Sequence, residues 1–77
     1  MRTVDDYLRL PWIIVVRYHD EQGGYWSAEL AEIPGCMYAS RNREELLREL
    51  EEAMRLWFED AMARGEPIPE PAAAQAS

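Results

Sequence analysis

The chain has one cysteine, one histidine, no lysine and no long apolar run. Cys36 alone cannot form an internal disulfide, and with His19 it falls short of the three or four ligands a zinc site needs. No metal and no cofactor are therefore expected. No apolar segment approaches the roughly 20 residues of a membrane span, and no basic, apolar leader opens the chain, so no membrane association is expected and the expected location is cytoplasmic. A glycine-rich phosphate loop is missing too; Gly23-Gly24 is more economically a turn. Nor is there a repeat or a second domain. A single domain over 1–71 with a frayed tail over 72–77 is the expected organisation.

What is present is acid. Fifteen carboxylates against eight arginines give a formal charge of −7. Direct nucleic-acid binding is disfavoured, because phosphates are gripped by clustered cations and these arginines are scattered among a larger number of acids. A basic protein is the better electrostatic match, although net negative charge also serves solubility. A chain of 77 residues buries a small fraction of its surface. Without disulfide or metal, self-association as a dimer or tetramer is the remaining route to stability.

The stretch 42–64 reads as one amphipathic helix, roughly 33 Å long at about 1.5 Å per residue. Asn42 can cap it, with Glu45 reaching back to the Asn42 N–H as in a capping box. Gly65 and Pro67 end it. Leu46, Leu50, Ala53, Met54, Trp57 and Ala61 recur at helical spacing, widened by Leu47, Phe58 and Met62. The pairs Glu44 with Arg48, Glu51 with Arg55 and Asp60 with Arg64 are spaced to support the opposite face.

Ahead of this helix, Val4, Tyr7 and Leu8 suit a short helical turn or ordered arm. Pro11 then opens a β-branched strand over 12–19, and a turn over 20–24 leads to a second strand over 25–31. Placing Tyr18 opposite Trp26 sets Val16 against Ala28 and Ile14 against Leu30. That gathers Trp12, Ile14, Val16, Tyr18, Trp26, Ala28 and Leu30 on the side expected to meet the helix. The reverse side carries Ile13, Val15, Arg17, His19, Tyr25, Ser27, Glu29 and Ala31, and Ile13 and Val15 are the candidate self-association residues. A turn over 32–35 and a short third strand over 36–40 complete an α+β order of β-β-β-α. After the helix, alternating prolines over 66–71 favour an extended path, with Ile68 positioned to dock.

Candidates for catalysis are thin. His19 and Cys36 fall beside different turns, and the helix acids lie on the solvated face, so no catalytic residue is assigned. A minimal metal-dependent nuclease would have only Glu29 and Glu32 to call on. A small-ligand pocket near Trp57 is a further alternative, and so is an orphan oligomeric interaction domain.

Tyr25-Trp-Ser-Ala28, Ile33-Pro34-Gly35-Cys36, Asn42-Arg-Glu-Glu-Leu46, Leu56-Trp57 and Gly65-Glu-Pro-Ile-Pro69-Glu-Pro71 together resemble the N-terminal domain of HicB-type antitoxins over roughly residues 11 to 71. The resemblance implies a partial ribonuclease-H-like fold of a three-stranded meander plus helix. It also implies a non-enzymatic role in neutralising a small basic HicA-type mRNA-cleaving toxin. Two departures accompany it: Ser40-Arg41-Asn42 stands where the family often has Gly-Asp-Thr, and no C-terminal DNA-binding segment is included. On this reading Glu29, Glu32, Glu59 and Asp60 are the candidate partner-binding residues.

Overall fold

A computed structural model describes residues 2–71; the expected tail over 72–77 lies outside them. The element order is α1 (Val4–Leu8), β1 (Ile14–His19), a 3-10 turn (Glu21–Gly23), β2 (Tyr25–Leu30), β3 (Ile33–Ser40) and α2 (Arg43–Arg64). The three strands form an antiparallel sheet in the order β1-β2-β3. The fold is α+β, a meander with one long helix laid on one face.

Local chemistry explains each element. Thr3 starts α1 with a full capping box: its hydroxyl accepts from the Asp6 N–H at 3.2 Å, and its own N–H donates to Asp6 Oδ2 at 2.9 Å. In α2, Asn42 Oδ1 accepts from the N–H groups of Glu44 and Glu45, at 2.9 and 3.3 Å. The expected return contact from Glu45 is not made, because the Asn42 N–H donates to Ser40 Oγ at 3.0 Å instead. Ser40 thus supplies the second half of the cap from the strand end. Gly65 terminates the helix in the left-handed conformation at φ 68°, and the Glu66 N–H closes onto the Ala61 carbonyl at 2.9 Å.

The register between β1 and β2 follows the side-chain parity argument, with Tyr18 opposite Trp26, Val16 opposite Ala28 and Ile14 opposite Leu30. Between them, Gln22, Gly23 and Gly24 all take positive φ, and Arg41 Nη2 donates to the Gln22 carbonyl at 3.0 Å, tying the hairpin loop to the end of β3. The start of β3 differs from expectation. The turn is only Ala31-Glu32, and the strand begins at Ile33, which pairs with Leu30. Met37 pairs with Glu29, so Pro34, Gly35 and Cys36 bulge from the ladder with no opposite residues on β2. A proline without an N–H is tolerated there because β3 is an edge strand, and the bulge turns the Cys36 side chain into the core.

The core consists of Ala28, Leu30, Ile33 and Cys36 from the sheet and Leu46, Leu50, Met54 and Phe58 from α2. Phe58 is completely enclosed. Its ring stacks on Tyr7 and on Trp12, both at 5.5 Å between centroids, and meets Trp57 edge-on at 5.7 Å. The Trp12 indole N–H donates to the Tyr7 carbonyl at 2.7 Å, which fixes α1 to the approach to β1. Ile68 packs against the same cluster, and Arg2 pairs with Glu70 to join the two ends of the described chain.

Two expectations about packing are corrected. Leu47 and Met62 are exposed rather than part of the buried stripe. More consequentially, Ile14, Val16 and Tyr18 point to the helix side, yet they remain 41, 42 and 56 % exposed. A helix about 10 Å across spans two strands set about 4.8 Å apart, not three. Here α2 packs over β2 and β3 and leaves β1 bare.

Candidate partner-binding surface

Burial along α2 is one-sided. Leu46, Leu50, Met54, Phe58 and Ala61 face the sheet, so positions 45, 52 and 59, seven residues apart and nearly eclipsed, form the crest of the opposite side. All three are glutamates, spaced about 10 Å apart along the helix, and all three are exposed. Between Glu52 and Glu59 sits Leu56, the most exposed large apolar side chain described, at 66 %.

The ion pairs leave this crest mostly unneutralised. Arg55 turns away from Glu51 to meet Asp5 of α1 at 3.1 Å. Arg48 approaches Glu45 only loosely, at 4.0 Å, rather than Glu44. Of the three expected pairs only Asp60 with Arg64 forms, at 2.6 Å. The other two fail for a reason outside the helix or outside the assumed spacing: a better-placed acid on α1 in one case, an i,i+3 neighbour in the other. Among the described residues, Glu44, Glu51, Glu52 and Glu59 have no ion-pair partner.

The four candidate acids fall on two surfaces. Glu59 stands near the C-terminal end of the helix crest, and Asp60 is next to it on the flank of the helix, paired with Arg64. Glu29 projects from the sheet face away from the helix, where Arg17 approaches it at 3.5 Å. Glu32 stands in the β2–β3 turn and accepts from the Ile13 N–H at 3.4 Å. Of the two candidate self-association residues, Ile13 is 43 % exposed and Val15 half-buried, on the same face as Glu29. From the sequence, Leu56 enters only as part of the family resemblance, and neither its exposure nor the regular Glu45, Glu52, Glu59 spacing is given a role. The seven-residue repeat of one residue type on the polar face was the available signal.

The sheet's open face carries one more polar group. His19 Nε2 and Ser27 Oγ are 2.8 Å apart, with the imidazole stacked on Tyr25 at 4.6 Å. Ser and His at this distance satisfy one geometric element of nucleophilic catalysis, but among the described residues no acid is hydrogen-bonded to the other ring nitrogen. Burial pushes the Cys36 thiol up, which holds it as a neutral thiol inside the core rather than as a nucleophile. Among the described residues there is no group of three or more His, Cys, Asp or Glu arranged to hold a metal, and no helix long and apolar enough to cross a membrane.

Two open clefts are present. One, about 260 Å³, lies between β1 and the first turns of α2 and is lined by Val16, Arg43, Glu44, Leu46 and Leu47. The other is shallower and is lined by Gln22, Tyr25, Ala39, Ser40 and Arg41. Neither includes Trp57, whose ring rests against Phe58.

The geometry defines a small two-layer α+β domain whose charged groups stand on open surfaces, an acidic helix crest foremost among them. Residues 12–77 match the family described as HicB_like antitoxin of bacterial toxin-antitoxin system. The chain belongs to that family, and a toxin is the kind of partner such a family implies. Comparison with curated proteins and with solved structures gives no match.

Proposed function

We propose that this protein is a non-enzymatic, cytoplasmic antitoxin that neutralises a small basic HicA-type mRNA-cleaving toxin by covering its RNA-binding surface with the α2 crest. The observation that carries this reading is the row Glu45, Glu52 and Glu59 around exposed Leu56. A ribonuclease that grips phosphates presents clustered cations, and a row of carboxylates on an exposed helix crest offers those cations a complementary surface. Leu56 supplies the desolvated contact that charge alone lacks; interfaces concentrate energy in such buried anchors and draw on-rate from charge. Asp60, rotated about 100° from Glu59 around the helix, borders the row on its flank, while Glu29 and Glu32 steer from the sheet side. The protein acts as a homo-dimer or tetramer, needs no cofactor and makes no direct contact with nucleic acid.

The test is inhibition of RNA cleavage by a purified HicA-type toxin, with the full chain and its variants. Glu52→Arg combined with Glu59→Arg is expected to weaken inhibition at least tenfold, and Leu56→Asp comparably. Inhibition by the unaltered chain is expected to weaken as salt rises, since pairs on an exposed surface are screened over about 8 to 10 Å. Unimpaired inhibition by both variants would refute the crest as the docking surface.

A further inference from the structure

We propose that the free edge of β1 is the seam of a two-fold homodimer, in which β1 pairs antiparallel with β1 of a second copy about Val16 to make a continuous six-stranded sheet. The inference deepens the self-association in the reading above and rests on it, by naming the edge, the register and the residues.

The backbone sets the geometry. The Ala31 N–H donates to the Ile13 carbonyl at 2.9 Å, and the two residues continue the β1–β2 register, in which Val15 opposes Glu29 and Arg17 opposes Ser27. Hydrogen-bonded pairs alternate with non-hydrogen-bonded ones along an antiparallel ladder. The odd residues of β1 therefore spend their amide groups on β2, and Ile14, Val16 and Tyr18 turn theirs outward, where the sheet has no further strand. These same three residues carry the exposed apolar side chains. One row of residues thus offers unpaired donors and acceptors along the edge and uncovered hydrocarbon beside it.

The sheet's two edges differ in how they are protected. Strand edges are usually blunted by charge, proline or a bulge. The β3 edge has Pro34 and a bulge of three residues. The β1 edge has neither: its six residues pair in unbroken register, without proline, and its single charge, Arg17, is turned to the opposite face toward Glu29.

The occupant follows from charge and symmetry. No residue of Ile14–His19 is acidic, in a chain with 15 acidic residues, so this edge offers a basic partner nothing, whereas a second copy fits. A two-fold on Val16 sets Ile14 against Tyr18 of the second copy and Arg17 against its Val15. A two-fold on Arg17 would put two guanidinium groups face to face, which is unfavourable. One on Val15 would leave Tyr18 opposite residue 12, beyond the strand. Pairing even with even residues also keeps both helices on one side. The two bare rows then merge into a single apolar strip flanked by Leu47 of each copy, with the cleft beside Val16 beneath it.

The experiment is the mass of the full chain by light scattering and sedimentation, with far-UV circular dichroism of each variant. The unaltered chain is expected to be an even-numbered oligomer. Val16→Lys, which places like charges on the two-fold axis, is expected to halve its mass with an unchanged spectrum, because this side chain is already exposed in the single chain. Ile14→Lys and Tyr18→Glu are each expected to do the same. The Ile14→Lys/Tyr18→Glu double variant, in which each new ammonium faces a new carboxylate, is expected to recover the full mass. A monomeric unaltered chain overturns both this seam and self-association itself. A Val16→Lys variant of undiminished mass, or a double variant that stays at half mass, overturns only the seam and its register. Toxin inhibition through the helix crest is read in a separate assay and does not depend on either result.

Discussion

Phe58 is the point at which the separate pieces of this domain meet, and replacing it tests whether the packing argument is right. The ring is fully enclosed and touches Tyr7 of α1, Trp12 before β1 and Trp57 of its own helix, all within 5.7 Å between centroids. Truncating a buried phenylalanine to alanine typically costs about 3 to 5 kcal/mol, and each well-oriented aromatic pair adds about 0.5 to 1.5 kcal/mol beyond its buried area. A domain of 77 residues has about 4 to 12 kcal/mol in total, at about 0.05 to 0.15 kcal/mol per residue. Phe58→Ala should therefore consume most of that margin and leave a substantial unfolded population at 37 °C. Phe58→Leu, which leaves a smaller cavity but gives up the three ring pairs, should cost less than Phe58→Ala, about 1.5 to 4.5 kcal/mol. Urea denaturation at one fixed protein concentration, followed by circular dichroism and by fluorescence of the flanking tryptophans, measures both. A loss below about 1 kcal/mol for Phe58→Ala, far under the cavity cost expected of an enclosed ring, would show that α1 and the β1 approach are not held through this residue.

Two further outcomes test the helix ends. Asn42→Ala should cost about 1 kcal/mol by removing the acceptor for two first-turn N–H groups, whereas Asn42→Ser should cost little; thermal melts distinguish them. The Asp6 carboxyl is held below its ordinary range by the Thr3 backbone N–H and then by the Thr3 hydroxyl. A depressed carboxylate contributes stability that is complete above its unfolded pKa and disappears as pH falls through the lower folded value. The α1 amides should thus lose hydrogen-exchange protection on acidification across that window, and Asp6→Asn should flatten the response.

Much of the fold was legible because it depends on short-range rules. The α2 limits follow from an asparagine and a glycine placed for capping, and the β1–β2 register follows from parity once Tyr18 is set against Trp26. What sequence did not reveal depends on width and on distant partners. Periodicity says which face of a strand is apolar, but not that one helix covers only two strands, so alternation alone places Ile14 and Val16 in a core that does not reach them. The i,i+4 rule paired Arg55 with Glu51, unaware that α1 would bring Asp5 within reach. The third strand began three residues earlier than expected because a proline and a glycine read as a turn, whereas on an edge strand they make a bulge. Of the candidate acids, Glu59 and Asp60 could be placed on the exposed helix face from spacing alone. That Glu29 and Glu32 lie elsewhere required the sheet.

The contact of Arg2 with Glu70, together with Asp5 to Arg55, spans nearly the whole chain. Closing such contacts means ordering almost everything between them, a cost that local hairpins and helices do not bear. The amino-terminal arm and the proline-rich return form a clasp across the domain, and it is expected to fasten after the sheet and helix have assembled. Both ion pairs are exposed, so this end is expected to lose hydrogen-exchange protection before the sheet and α2 do.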